Sequence, residues 1–354
     1  MSKRKIQDLQ TPALLVDLSA VERNLHRMAQ FVSQGETKLR PHFKNHQCPK
    51  LSSRQIEAGA IGITCAKVGH AEILVSQGIK SVLIANEIVG EENLSRCAEL
   101  ARQAEVIVAV DNARVVADLG RIARNKGASL GVLIDVNVGL NRCGVEPGEP
   151  ALILARHALE AGLLVRGVMG YEGNLNLMPP GPEKERACRT AMQLAVDTSR
   201  YLRQKGVSGE IVSAGATGTY SITGRFPGVT EIQAGSYLTM DSSFLQCASE
   251  FERSLSILAS VISKTEGKRL VINAGRKTLS GERGLPLVKN LQGVRLTAFH
   301  AEHGIIEIED PAVSVQVGDK VEVWVHYADP TVQMHQCMYA FRGNEVEVEL
   351  TIVR

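Results

Sequence analysis

The stretch Leu39–Lys50, LRPHFKNHQCPK, gathers Arg40, His42, Lys44, His46 and Lys50 into twelve residues. If it forms a short strand, period-two alternation sends Leu39, Pro41 and Phe43 to one face and Arg40, His42 and Lys44 to the other. Three basic groups on one face are costly in a sealed core, so that face is expected to look into a polar pocket. A lysine amine held there is a nucleophile toward a carbonyl carbon, and the product is a Schiff base. The commonest cofactor to offer that carbonyl is pyridoxal 5'-phosphate (PLP). The plain alternative is a solvated basic strand end that binds some phosphate.

The elements that position Lys44 follow from the rest of the chain. Short apolar, β-branched runs recur at 13–18, 37–44, 60–67, 81–87, 105–111, 131–137, 164–171, 210–215 and 230–235. Between them lie amphipathic stretches such as 18–32, in which apolar residues return every three or four positions. Asp17 and Ser19 are suited to cap that helix. Strand–helix alternation of this kind predicts a parallel sheet with helical crossovers. The first run stands apart, because it opens the chain after Gln10-Thr11-Pro12. The other eight suit a (β/α)8 barrel of the TIM type, with an open doubly wound sheet as the structural alternative. In a barrel Lys44 falls at the C-terminal mouth, where such folds keep their sites. After about Leu245 alternating strand patterns are joined by Gly, Asp and Asn turns. The expected organisation is therefore a barrel over 12–245 and a mainly antiparallel β-domain over 246–354, into which strand 13–18 can pair.

Composition narrows the function classes. The chain has 354 residues, a net charge of +2, 44% hydrophobic and 22% charged residues. It carries no basic run or basic-aromatic stripe, which argues against nucleic acid or a membrane surface as a partner. The N-terminus lacks the apolar core and cleavage site of a secretory signal. No apolar run approaches the roughly 18–20 residues of a membrane helix. Seven cysteines without a CxxC pair predict free thiols, and with them a cytoplasmic protein.

LRPHFKNHQCP also resembles the RPHxKxHK segment of D-threonine aldolases and D-serine dehydratases, fold-type III PLP enzymes of the group that includes alanine racemase. NVGLNRCGV (137–145), YEGN (171–174), SAGATGTYSITG (213–224), VTEIQAGSYLTMD (229–241), NAGRKTLS (273–280), AEHG (301–304) and VGDKVEVWVHYADPT (317–331) follow in the family's order. The resemblance implies an alanine racemase-like barrel holding PLP, a C-terminal β-domain that takes the first strand, and a homodimer. It makes Lys44 the lysine joined to the cofactor. Arg142 is expected at the phenolate oxygen and Tyr171 at the pyridine nitrogen. Thr217, Gly218 and Thr219, with Gly235, Ser236 and Tyr237, are expected around the phosphate, where backbone N–H groups approach a dianion. His42, Asn45 and His46 are expected behind these contacts.

Two departures concern the substrate's β-hydroxyl. The family carries a divalent metal (Mn, Zn or Mg) beside PLP, held by His-x-Cys or His-x-Asp, and it acts on that hydroxyl as a Lewis acid. Here Asp329 fills the second place, but Tyr327 stands where the histidine belongs. His326 is one residue away and points to the opposite face of a regular strand unless a bulge turns it. His335-Gln336-Cys337 has ligand spacing but comes several residues late, and Glu302 and His303 are further candidates. The second departure is Leu177, six residues after Tyr171, where many aldolases have a histidine. The expected activity is a PLP-dependent lyase on a D-configured β-hydroxy amino acid, by retro-aldol cleavage or by elimination. The alternative is a metal-independent amino-acid racemase, with Tyr327 or His303 as the base opposite Lys44. A non-catalytic PLP carrier is a third reading, against which the 246–354 domain argues.

Overall fold

The computed structural model describes residues 4–265, 268–289 and 291–354. The chain divides into two compact units: residues 28–44 with 49–235, and the segment ending at Arg27 with 45–48 and 236–354. Among the described residues no helix is long and apolar enough to cross a membrane. Cys48, Cys65, Cys97, Cys143, Cys188, Cys247 and Cys337 are all free.

Strand β1 (Ala13–Asp17) belongs to the unit that holds the C-terminal half. The other unit contains β2 (Lys38–Leu39), β3 (Ile63–Cys65), β4 (Ser81–Ile84), β5 (Glu105–Val110), β6 (Gly131–Asp135), β7 (Leu164–Met169), β8 (Ile211–Ala214) and β9 (Glu231–Ile232). Every pairing among these eight is parallel, in the order β2-β9-β8-β7-β6-β5-β4-β3. The two ends meet through a parallel bridge between His42 and Thr64 and a 2.9 Å bond from Thr64 N–H to the Pro41 carbonyl. The sheet is thus a closed barrel.

Helices α1 (Leu18–Ser33), α2 (Pro49–Glu57), α3 (Val68–Ser76), α4 (Glu91–Leu100), α5 (Ala113–Asn125), α6 (Glu149–Glu160), α7 (Pro182–Gln204) and α8 (Tyr220–Thr223) precede or separate these strands. The sequence logic is plain in α5. Asn112 caps it by accepting from Arg114 N–H at 3.0 Å, and Val116, Leu119, Ile122 and Ala123 recur on one buried face. Each large apolar side chain buried there contributes about 1.5–3 kcal/mol. All of β6 is buried, as expected of a parallel sheet covered on both sides. Leu83, Ile107, Ala109, Leu133 and Met169 form one core cluster.

The basic segment departs from the regular strand that alternation predicts. Only Lys38–Leu39 is ladder strand, and the chain then tightens into a 3-10 turn over Phe43–Asn45. Pro41 has no N–H to give a ladder. Arg40 does not line a polar pocket with Lys44. It is buried, and its Nε donates to Glu231 Oε2 at 3.0 Å while Nη1 donates to Ser81 Oγ at 2.7 Å.

The second unit holds a nine-stranded, mainly antiparallel sheet. Its strands are β1, β10 (Leu255–Thr265), β11 (Arg269–Ile272), β12 (Val288–Lys289), β13 (Val294–Phe299), β14 (Gly304–Ile308), β15 (Lys320–Trp324), β16 (Cys337–Arg342) and β17 (Glu345–Thr351). β1 pairs antiparallel with β10 and parallel with β16. Ile6, Leu9, Ala13, Leu15, Leu258 and Phe341 close over one face. A short helix, α9 (Ala328–Gln333), lies between β15 and β16, with Asp329 in its first turn.

Candidate active site

Lys44 sits in the turn that follows β2, and its side chain is exposed. Phe43 beside it is wholly buried and packs edge-on to the His70 ring at 5.2 Å. Lys44 N–H donates to His42 Nδ1 at 3.3 Å, so the neighbouring histidine shapes the turn. Phe43 anchors the segment inside and Lys44 is delivered outside.

Because the eight strands are parallel, the segments after β2, β6, β7, β8 and β9 all emerge at one end of the barrel. That end collects Lys44, Arg142, Tyr171, Thr217–Thr219 and Gly235. The loop carrying Arg142 is cross-braced. Asn137 N–H donates to the Val145 carbonyl and Val145 N–H to the Asp135 carbonyl, each at 2.9 Å. Inside the loop Asn137 Oδ1 accepts from Gly139 and Asn141 N–H at 3.1 Å each. Asn141 takes a φ of +55°, a conformation that asparagine tolerates. Arg142 leaves this loop exposed, with its guanidinium 5.5 Å from the centre of the Tyr171 ring. Gly173 gives that ring its room, since a Cβ there would come within 2.4 Å of Tyr171 Cε1.

A carboxyl group that sequence reasoning left unassigned holds the next loop together. Glu172 is wholly buried. It accepts from Thr219 Oγ1 at 2.7 Å, Thr223 Oγ1 at 2.6 Å and Gly215 N–H at 3.1 Å. Gly218 N–H donates to Asn176 Oδ1 at 2.8 Å, and a Cβ on Gly218 would collide with the Asn176 carbonyl at 1.9 Å. The 171–176 segment therefore clamps the 215–219 loop. Thr219, expected at a phosphate, instead turns its hydroxyl inward to Glu172. Thr217 is also buried. The signal was present in YEGN, since an acid just after a buried strand needs donors. We expect Glu172→Gln, which keeps one oxygen for Thr219 and Thr223 but sets an NH2 donor against Gly215 N–H, to cost about 1–3 kcal/mol and to weaken PLP binding roughly tenfold. Thermal melts and a cofactor titration check this; an unchanged affinity would remove Glu172 from the loop's support.

A second unforeseen group lies after β4, β5 and β6. Glu87, Asp111 and Cys143 present ligand-type atoms within 4.8 Å of one another. Asp135 beside them is pushed up to about 8 by burial and then by its hydrogen bond with Glu87, while Arg142 opposes the shift. A cleft lined by Asp135, Val138, Arg142, Cys143 and Tyr171 opens there. Chemically, this end of the barrel offers an amine, a guanidinium, a phenol and a braced loop of glycine and hydroxyl residues. That donor set matches an aldehyde that also bears phenolate and phosphate groups, which is PLP.

The remaining expected residues lie in the second unit. Ser236 Oγ is 3.3 Å from Asn45 Nδ2. Tyr237 is buried, its ring 5.6 Å from that of Phe251. Asn45, next after Lys44, also donates to Asp329 Oδ1 at 3.2 Å and accepts from Thr239 Oγ1. His326, Tyr327 and Asp329 do not share a regular strand, because β15 ends at Trp324 and α9 begins at Ala328. His326 Nε2 lies 3.0 Å from the Arg283 carbonyl. His303 is exposed on the turn before β14, and Glu302 pairs with Lys277 at 2.7 Å. His335 Nε2 is 2.8 Å from the Thr278 carbonyl. Tyr327 stands in the place of the histidine in the family's metal pair, and His326 turns Nε2 to the Arg283 carbonyl.

Comparison with known proteins agrees with this layout. The model of the alanine racemase N-terminal domain matches residues 16–243, and that of a serine dehydratase domain matches 254–341. A D-threonine aldolase of Arthrobacter sp is 34% identical over 95% of this chain and 90% of its own length. A 3-hydroxy-D-aspartate aldolase of Paracoccus denitrificans is 31% identical over 96% and 90%. The crystal structure of D-threonine aldolase from Filomicrobium marinum superposes with a TM-score of 0.94 at 34% identity, covering 99% of this chain and 98% of that one. A parallel barrel closed at the Lys44 segment, a separate antiparallel sheet and relatives matched nearly end to end lead to one conclusion: the chain belongs to the alanine racemase N-terminal-domain family, in the company of the D-threonine aldolases.

Proposed function

We propose that the chain is a PLP-dependent lyase of D-configured β-hydroxy amino acids, working as a homodimer on a small-molecule substrate. The observation that carries this reading is the exposed Lys44 amine on the turn after β2, in a chain that resembles a D-threonine aldolase over 95% of its length. When bound there, PLP draws electrons out of the bonds at the substrate's Cα. The chain's own residues do the rest. Lys44 Nζ would hold the cofactor at its carbonyl carbon, and the same amine is placed to carry a proton. Arg142 offers a planar pair of donors to the phenolate oxygen. Tyr171 offers a neutral partner to the ring nitrogen. Thr217 on the clamped loop, with Gly235, Ser236 and Tyr237, is assigned to the phosphate, while Gly218, whose N–H is taken by Asn176 Oδ1, and Thr219 hold the loop in shape.

The lyase reading is preferred to racemisation on a specific ground. Racemisation needs a second base across from Lys44. The Tyr327 phenol is pushed up by burial and by Asp329, and His303 is exposed on its turn. Neither is poised for that task. PLP-loaded protein is expected to convert D-threonine to glycine and acetaldehyde, or 3-hydroxy-D-aspartate to glycine and glyoxylate. The elimination arm is read as ammonia and a 2-oxo acid. The L-threonine reaction is expected to be slower by at least about a hundredfold. Exchange of the α-proton in deuterated water with inversion and no cleavage would overturn the proposal.

A further inference from the structure

Where β4, β5 and β6 end, three carboxyl groups crowd together with few donors to serve them. Asp135 closes β6 with 5% of its surface exposed. Glu87 follows β4 and Asp111 follows β5, and with Cys143 they bring ligand-type atoms within 4.8 Å of one another. All four residues belong to the barrel unit. Asp111 Oδ2 accepts from Gly144 N–H at 3.2 Å. Glu87 and Asp135 have each other. Two carboxylates are both acceptors, so a hydrogen bond joins them only with a proton between. Glu87 Oε1 is buried and unpartnered, an acceptor short of a donor, which such a proton supplies.

The groups cannot drift apart to reach water. Val145 N–H donates to the Asp135 carbonyl at 2.9 Å, and a Cβ on Gly144 would lie 2.8 Å from the Asn137 nitrogen. Burial, the bond to Glu87 and the charges of Glu87 and Asp111 push Asp135 up to about 8, against the pull of Arg142. Cys143, pushed up by burial and then by Glu87, stays a neutral thiol. The cation facing these acids is Arg142. It is exposed, lies 5.5 Å from the centre of the Tyr171 ring, and forms no ion pair among the described residues. It shares its cleft with Asp135, Cys143 and Tyr171. A fully ionised acid pair beside it would draw the guanidinium into a bidentate contact and deny it to any other oxygen.

We propose that Glu87 and Asp135 hold one proton between them and thereby position Arg142. With a single negative charge the pair steadies the guanidinium and leaves its N–H fork for the cofactor's phenolate. In alkali the proton leaves to solvent, and the pair takes Arg142 for itself. The target of Arg142 rests on the PLP-lyase reading above; the shared proton does not. Infrared titration of the full chain without PLP, carrying carboxyl-labelled aspartate, reads the pair directly. A protonated aspartate should be present at neutral pH, ionise near the value of about 8 given by its surroundings, and be missing from Asp135→Asn. Glu87→Gln removes a like charge and gives Asp135 an NH2 donor, so it should lower that midpoint by about one pH unit or more. If Asp135→Asn does not fold, the Glu87→Gln midpoint decides. In wild type the PLP dissociation constant should rise about tenfold between roughly pH 7 and pH 9.5, the worth of one charge-assisted contact. Asp135→Asn should remove most of that rise, and Arg142→Met should bind weakly throughout. Aspartates all ionised at neutral pH, a midpoint indifferent to Glu87→Gln, or an alkaline rise that survives Asp135→Asn would overturn the proposal. So would saturable Mn2+ or Zn2+ binding abolished by Glu87→Gln, which would put a metal where the proton belongs. If Arg142→Met binds PLP as tightly as wild type, the phenolate assignment falls instead, and the infrared titration still judges the shared proton.

Discussion

Lys44→Ala protein, supplied with PLP, is expected to stay without the visible absorption of a cofactor joined to lysine and to lose at least about ten-thousand-fold in lyase rate. The loss is large because one atom has two jobs. Nζ would hold the cofactor covalently, and the same amine is in place to carry protons. The loss should be clean as well. The Lys44 side chain is exposed while Phe43 carries the packing of the turn, so the melting transition is expected to move by no more than about 0.5 kcal/mol in equivalent stability. Borohydride reduction followed by peptide mass spectrometry checks the covalent half, with the label on the Lys44 peptide of wild type and absent from the variant. Retention of the label on another lysine would end the assignment.

What the sequence shows and hides about this site follows from the range of each physical signal. Apolar alternation is local, so the nine strand runs lie where β1 to β9 form. Asp329-Pro330 at a helix start is also local, because acids favour the first turn and proline tolerates it. Reading it as a helix signal places His326 and Tyr327 on a strand-to-helix turn, where the opposite-face argument of a regular strand does not apply. Partners distant in sequence leave no such trace. Glu172 reads as a loop acid until Thr219 and Thr223, 47 and 51 residues on, donate to it. Arg40 reads as a third cation beside Lys44 because Glu231, 191 residues away, is invisible to periodicity.

Arg40 also sets the largest expected effect on folding. Its guanidinium and the Glu231 carboxylate have side-chain exposures of 4% and 3%, so both charges have left water. They lie at the seam of the barrel. Arg40 N–H donates to the Ile232 carbonyl at 2.9 Å, and its own carbonyl accepts from Thr64 Oγ1 at 2.7 Å. A buried pair of this kind gives little net stability, because desolvation offsets most of the attraction, yet removing one partner strands the other charge in a low dielectric. Glu231→Leu is therefore expected to lower stability by about 3–5 kcal/mol, a large share of the roughly 5–15 kcal/mol that holds a domain folded. The double variant Arg40→Met with Glu231→Leu leaves no stranded charge and should recover most of that loss. Urea unfolding of the two singles and the double measures the coupling directly. If Glu231→Leu stays within about 1 kcal/mol of wild type, water reaches the seam and the pair is not sealed.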